Sequence, residues 1–288
     1  MNNEKITNRQ NEELMLRFQF AARKYYNTAE TLDIWIWVVC FIAWLTILLP
    51  SGGVWDTVAL CISTIMDIAA FILFWQLSEH VKRASSLRAY FDAYVLNIAL
   101  DRYSQTELRQ LEEWALDAEE QFPSEYAVQV AHTGHDTPPG VRDWYEFSLP
   151  CSGLLAIFTC QKQNCWWTEK VAHPGQIVST IITTCSLGLF ILVAYAAWPE
   201  KSIWQIALSA VAIILKVVER ISSKLKYRHM SYQLTGASKA LESNITEAGN
   251  LNFQKLIDER RAIPVVESNL VHKLRAKVLS ERYLKLTQ

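Results

Sequence analysis

An aspartate, Asp67, stands near the middle of residues 58–75, a stretch that carries no other charge. An ionised carboxylate at the centre of a membrane-crossing helix costs several kcal/mol, so acids at such positions mark ion paths and proton relays. Asp56, Ser63 and Asp67 follow one another at spacings of seven and four, which brings them to one helix face. That stripe suits the wall of a water-filled path, or a set of hydrogen-bonded polar groups packed between helices. In a later apolar run, Thr180, Thr184 and Gly188 recur every four residues, with Ser179 and Thr183 beside them. Small and hydroxylated residues at that spacing allow close helix packing. Thr180 and Thr184 could also turn hydroxyls towards a pore.

A second kind of chemistry is offered by two mixed segments. One is Arg142, Asp143, Trp144 and Tyr145. The other is CQKQNCWWTEK at 160–170, with Lys162 and Trp166. Aromatic rings interleaved with cations can stack on nucleobases and pair with phosphates. The same mixture fits a helix at the membrane interface or a subunit contact. Cys160, Cys165 and His173 match no ordinary zinc-binding spacing and lack a fourth ligand, so neither a metal nor another cofactor is expected. There is no glycine-rich phosphate loop, nucleophile elbow or HExxH helix, and the sequence is not expected to encode an enzyme.

The elements that must position these residues follow from hydropathy. The chain has 288 residues, 51% hydrophobic, with a net charge of −1, so no overall field argues for a DNA or RNA polymer as partner. The apolar residues gather in blocks at 34–49, 58–75, 177–198 and 203–215. At about 1.5 Å per residue, roughly 20 residues cross the ~30 Å core of a lipid bilayer. The first three blocks qualify, and the fourth does if it runs past Lys216 through Val218. Ser51-Gly52-Gly53 and Pro199-Glu200-Lys201-Ser202 are turns too short to hold a domain, so the blocks pair into hairpins.

The expectation is therefore an all-α membrane protein with two transmembrane helical hairpins, four spans in all, and a helical cytosolic domain. Its segments are a cytosolic N-terminal helix at 1–30, the first hairpin at 31–77, a cytosolic helical insert at 78–176, the second hairpin at 177–218, and cytosolic C-terminal helices at 219–288. Of the 28 lysines and arginines, 27 fall on one side of these hairpins and only Lys201 on the other. The positive-inside rule puts that side, with both termini, in the cytosol. Trp35, Trp37 and Trp75 would then mark the inner interface, and Trp55, Trp198 and Trp204 the outer one. A cytosolic insert keeps the six cysteines as thiols. The polar first 30 residues predict no cleavable signal peptide.

In the cytosolic part the pattern predicts one helix over 4–30, with Leu14, Phe18, Ala21, Ala22 and Tyr25 on a stripe. It predicts that the second span continues through Val81, Leu87, Tyr90, Phe91 and Tyr94. Ser104 and Glu107 form a capping box that opens a helix to about Glu120. Residues 121–140 read as a loop, and an amphipathic helix follows Pro150 to about Val171. Val218, Ile221, Leu225 and Tyr232 suggest a long helix emerging from the fourth span. A last helix is expected after Pro264.

Several segments resemble a known family. They are Asn8-Arg9-Gln10-Asn11, Leu14 with Ala21-Ala22-Arg23-Lys24-Tyr25-Tyr26, Arg142-Asp143-Trp144-Tyr145 with Leu149-Pro150, and Cys160-Gln161-Lys162-Gln163-Asn164 running into Trp166-Trp167. With two hairpins around an insert of about 100 residues, the chain resembles the SMODS-associated four-transmembrane effectors of CBASS anti-phage systems. In that pattern an acid follows the tryptophan of the last motif, whereas here Trp167 and Thr168 precede Glu169. The resemblance implies a pore-forming homo-oligomer in the bacterial inner membrane. A cyclic oligonucleotide would bind on its cytosolic side. Asp56, Ser63, Asp67, Thr180 and Thr184 are the candidates for the path. Arg142, Trp144, Tyr145, Lys162 and Trp166 are the candidates for ligand or interface contacts. A constitutive small channel or transporter, or a membrane-anchored scaffold, are the alternatives.

Overall fold

A computed structural model describes residues 2–264, together with 278 and 282, except for the side chains of 171–175 and 178. Its helices are α1 (Asn3–Gln10), α2 (Glu13–Leu45), α3 (Val54–Leu96), α4 (Gln105–Gln121), α5 (Pro123–Ala131), α6 (Gly153–Ala197), α7 (Ile203–Ser243) and α8 (Glu247–Arg261). Among the described residues there is no sheet, only the isolated bridges Asn2–Ser152 and Thr133–Arg142. All six cysteines are free thiols.

The frame is a long antiparallel pair, α2 against α3. The residues that α2 buries include Met15, Ala22, Ala29, Ile36 and Ala43, and α3 buries Ser63, Ala70, Leu77, Ala84 and Phe91. Both sets repeat every seven residues, the spacing that keeps one seam facing a partner along a supercoiled pair. Alanine and serine dominate the seam, so the two backbones can approach closely. The pair is joined by Gly52 and Gly53, both at positive φ (101° and 60°), a conformation that glycine adopts without steric penalty.

Among the described residues, three helices are long and apolar enough to cross a membrane: the segment Glu13–Leu48, Val54–Leu96 and Ser179–Ala197. The helix α7 packs against α2 and α3 at the same level but carries Lys216, Glu219 and Arg220. Those charges are paired. Lys216, 1% exposed, donates to Asp33 Oδ1 at 2.6 Å and to Glu219 Oε2 at 3.2 Å, and Arg220 bonds the other oxygen of Asp33. The Lys216 ammonium also lies 5.0 Å from the centre of the Phe74 ring. At the opposite end the two turns are tied together. Ser51 donates to the Glu200 carbonyl at 2.9 Å, and Lys201 to the Leu49 carbonyl at 2.6 Å.

On the other side of the Asp33 cluster, the continuations of α2, α3 and α6 meet α4 and α5 around Phe18, Phe20, Leu87, Phe91, Leu111 and Ala156, and α8 packs against α6 and α7 through Phe253, Ile257, Phe158, Leu234 and Leu241. The capping box at Ser104 and Glu107 is formed. Other sequence expectations need correcting. The first helix breaks at Asn11–Glu12, because Asn11 turns to bond Asp143. Residues 123–131 are the helix α5, with Pro123 in its first turn, rather than loop. The helix expected to stop near Val171 continues across Pro174 into the apolar run as α6. The helix α8 was not anticipated. Thr246 caps it by accepting from the Gly249 amide at 3.1 Å. The helix predicted after Pro264 lies outside the described residues.

Removing the shared acid should unsettle α7. Asp33→Leu leaves the buried Arg220 charge uncompensated, and should cost about 3–5 kcal/mol. The triple variant D33L/K216M/R220M should recover most of that loss, because it removes the charges together. Denaturant melts of the detergent-solubilised variants measure both.

Candidate functional site

The motif segments beyond the Asp33 cluster converge on one buried acid, Asp92, which is 1% exposed. It sits on the inner face of α3, one residue after Phe91. Tyr145 Oη donates to Asp92 Oδ1 at 2.6 Å. Asp92 Oδ2 accepts from Asn164 Nδ2 at 3.2 Å, Gln254 Nε2 at 3.0 Å and Arg261 Nη1 at 2.7 Å. A carboxylate can be held in the interior when its lone pairs are filled and a cation accompanies it. Here the donors come from the 142–145 segment, α6 and α8. A second ring of bonds supports them. Gln10 clasps the Tyr145 backbone in both directions, accepting its amide at 2.7 Å and donating to its carbonyl at 3.1 Å. Asn11 accepts from the Asp143 amide at 3.1 Å and donates to its carboxylate Oδ1 at 2.7 Å. Gln161 donates to Gln254 Oε1 at 3.1 Å and to the Asn250 carbonyl at 2.9 Å. Arg9 donates to the Tyr94 carbonyl at the end of α3.

Electrostatics follow from this burial. Burial, and then the Asp92 charge, push the Tyr145 phenol well above its ordinary value. Burial alone would lower Arg261, but the Asp92 charge, with Asp258, reverses that and keeps the guanidinium charged. Burial pushes the Cys160 and Cys165 thiols up, which leaves them as inert packing groups rather than metal-ready thiolates. The described residues hold no cluster able to bind a metal. The His173 side chain lies outside them.

The ligand candidates therefore separate. Tyr145 is a core residue, 2% exposed, with its hydroxyl committed to Asp92, so it has no face for a ligand. Arg142 is exposed and donates from Nε to the Val130 carbonyl at 3.2 Å. Lys162 is exposed and pairs with Glu242 at 2.5 Å. Trp166 packs edge-on to Trp167. Trp144 is half-buried under the Arg88 guanidinium, 5.0 Å from its ring centre, and Arg88 also covers Tyr26. Next to them Arg83 lies over Tyr25 and Trp114. Burial, followed by the Arg88 charge, lowers Arg23 to about 10. The Arg23 guanidinium is held by Gln129 Oε1 and the Pro139 and Gly140 carbonyls, each at 2.9 Å. At Gly140 a Cβ would fall 1.8 Å from the His132 carbonyl oxygen, so only glycine fits there.

Among the path candidates, Asp56, Ser63 and Asp67 all face inward. Asp56 Oδ1 accepts from Gln205 Nε2 of α7 at 2.6 Å. Ser63, buried, shares a 2.8 Å hydroxyl bond with Thr46. Asp67 Oδ1 accepts from the Ala212 amide of α7 at 3.2 Å. Asp56, Ser63, Thr46, Lys201 and Gln205 line a recess of about 290 Å³ that does not reach Thr180 or Thr184. Those two residues are exposed on α6. Thr180 accepts from Lys224 of α7 and donates to the Gln176 carbonyl at 2.7 Å. The structure thus brings three of the five path candidates onto one interhelical seam and leaves the two threonines elsewhere.

Substitutions at the Asp92 cluster should act on stability. Tyr145→Phe should cost about 1.5–3 kcal/mol, the range for a bond to a charged group. Asp92→Leu should cost about 3–5 kcal/mol, by stranding Arg261. Burial also pushes Tyr103 up to about 12. Both phenols stay neutral in the fold but ionise near pH 10 once unfolded. Their contribution is complete below about pH 10 and is lost as pH rises towards the folded values. Denaturant melts between pH 8 and 11.5 should show that decline, and Tyr145→Phe should flatten part of it.

No curated protein and no solved structure matches the chain. One family model does match, over residues 4–209, which takes in the Asn8–Asn11 turn, the 142–145 segment, the Gln161–Asn164 motif and Asp56, Ser63 and Asp67, but stops before Ala212, Gln254 and Arg261. With a match over that much of its length, the chain belongs to the family of the SMODS-associating 4TM effector domain, and is thereby a CBASS-associated membrane effector.

Proposed function

We propose that this protein permeabilises the bacterial inner membrane in anti-phage defence, and that a cyclic oligonucleotide bound on its cytosolic side triggers it. The observation that carries the reading is the polar seam where α3 meets α7 and the end of α2, with Asp56 on Gln205, Asp67 on the Ala212 amide and Ser63 on Thr46 inside an otherwise apolar bundle. Polar groups at such depth are costly unless satisfied, and they mark pathways when they face a shared interior. In the closed arrangement each of these groups is occupied by a neighbour. Separating α7 from α3 would expose them to water and leave a polar-lined path.

The same reading makes α7 the fourth span. Asp33 neutralises Lys216 and Arg220 at the level where the apolar part of the bundle ends. The lysines and arginines put that end, and both termini, in the cytosol. A single four-helix unit encloses too little space for a useful aqueous path, so the working form is a homo-oligomer. The activity needs no catalysis. On the cytosolic side, the Arg83 and Arg88 guanidiniums with Trp114 and Trp144 offer the pairing and stacking chemistry that phosphates and bases require.

The test is dye release from liposomes containing the purified protein, challenged with a panel of cyclic di- and trinucleotides. Release with one nucleotide is expected. Release without any nucleotide would point to a constitutive channel. Silence with intact protein in the bilayer would point to a scaffold. Asp67→Leu should reduce triggered release to the level of protein-free liposomes at unchanged protein incorporation; undiminished release would remove Asp67 from the path.

A further inference from the structure

We infer that the recess between α3 and α7 is a binding site for one phospholipid with an ethanolamine headgroup, drawn from the leaflet at the turn end of the bundle. Two opposite charges line this recess of about 290 Å³. Asp56 stands in the first turn of α3, and Lys201 in the turn before α7. Neither has a counter-charge. Among the described residues no opposite charge comes within 4.0 Å of either, and the two are not paired with each other. Their partners are neutral. Asp56 accepts from Gln205 Nε2 at 2.6 Å and from the Gly52 amide at 3.1 Å, and Lys201 donates to the Leu49 carbonyl at 2.6 Å. A carboxylate offers about four acceptor sites and an ammonium three donors, so both groups keep capacity for a further bond.

The position of the recess suits a lipid head. Its polar groups stand beside an apolar wall of Leu60, Leu208 and Trp204. These three residues are exposed, so the recess opens on the side of the bundle that faces acyl chains. Trp55, Trp198 and Trp204, all exposed, mark its level, because tryptophan gathers where headgroups meet hydrocarbon. A charge at that level is only partly hydrated. A bond between charged groups there is about twice as strong as a neutral one.

The two charges select the class of lipid. A phosphate that accepts from Lys201 answers one, and a primary ammonium that donates to Asp56 answers the other. An ethanolamine phospholipid carries both groups on one short arm. Phosphatidylglycerol supplies the phosphate alone. The quaternary ammonium of phosphatidylcholine has the charge but no N–H to donate. With the head so placed, the glycerol and the start of an acyl chain lie on Leu60 and Leu208. The lipid then links the start of α3 to the turn before α7, alongside the bond from Gln205 to Asp56. The inference rests on the reading of α3 and α7 as membrane-crossing helices, but not on nucleotide triggering or leakage.

The experiment is native mass spectrometry of the full-length protein, purified in a non-ionic detergent and stripped of lipid. It is offered equal amounts of phosphatidylethanolamine, phosphatidylcholine and phosphatidylglycerol with the same acyl chains. One ethanolamine lipid per chain should stay bound, about tenfold more abundantly than either competitor, the equivalent of one bond between charged groups. Asp56→Asn should bring the ethanolamine lipid down to the level of the choline lipid, because it removes the charge and leaves an amide oxygen for Gln205. Lys201→Gln should weaken all three lipids together, and is an independent test if the first variant does not fold. Ser51→Ala removes the other tie between the two turns and should leave the preference intact, which separates loss of the site from a loosened turn. Equal binding of ethanolamine and choline lipids by the unaltered protein, or an ethanolamine preference that survives both substitutions at the recess, would overturn the inference. So would displacement of the lipid by an equal concentration of water-soluble glycerophosphoethanolamine, which would make the ligand a soluble zwitterion. The same preference in a protein that shows no nucleotide-triggered release would support the inference and count against the effector reading alone.

Discussion

The half of this protein beyond the Asp33 cluster depends on holding one carboxylate in a dry interior. Asp92 sits where a helix of its pattern would place a leucine, and water cannot reach it. Replacing that hydration takes four donors, one of them a full cation, and they come from Tyr145, Asn164, Gln254 and Arg261. These residues are spread over a loop and two helices that are distant in sequence. Each donor is useless unless its own segment is held, and this accounts for the outer ring. Gln10 and Asn11 fix the 142–145 backbone, Gln161 fixes α8, and Arg9 ties the start of the chain to the end of α3. The motifs are therefore a set of mutually dependent hydrogen bonds, in which removing one partner leaves others buried and unsatisfied.

The membrane part obeys the same rule with fewer polar groups. Thr46 and Ser63 satisfy each other, Asp56 has Gln205, Asp67 has the Ala212 amide, and Asp33 answers both Lys216 and Arg220. Each of the last three bonds joins α7 to the α2–α3 pair. The seam inside that pair is rich in alanine and, apart from Ser63 with Thr46, offers close backbone packing. The bundle thus combines one tight apolar pair with an α7 attached through polar bonds. By contrast, much of the apolar part of α6 is exposed, as at Ile181, Ile191 and Leu192.

Much of this was legible in the sequence because it is local. Charge-free runs located the apolar helices, Ser104 with Glu107 gave a capping box, and the spacing of Asp56, Ser63 and Asp67 placed them on one inward face. What was missed is non-local. Asp92 stands among Tyr90, Phe91 and Ala93 on a stripe of buried residues, and an acid on such a stripe was the available signal. Its meaning depended on Gln254 and Arg261, more than 160 residues away on a helix that the pattern had not announced. Tyr145 and Trp144 were taken together as one aromatic surface, yet one ring points into the core and the other lies under Arg88. Adjacent residues in an extended segment face opposite ways, and aromatic composition alone does not say which is the outer one. Thr180 and Thr184 were grouped with the acids because hydroxyls suit a path, but face and depth are set by which helix packs on which.

The continuity of the helices links the two halves. Asp67 and Asp92 lie on the same helix, separated by 25 residues or about 37 Å of helix rise. Between them α3 has no break, and its buried positions at Ala70, Leu77 and Ala84 interlock with α2 along the way. A helix clamped in this manner does not transmit a signal by local unfolding, since that would separate the close-packed seam before anything reached the membrane. It can move only as a rod, together with α2. One end of that rod is held by Asp92 to α6 and α8, and its membrane end by Asp56 and Asp67 to α7. A ligand that shifted the Asp92 clamp would therefore act on the α3–α7 bonds. Those bonds are also the weaker of the two clamps, being single contacts rather than a closed network.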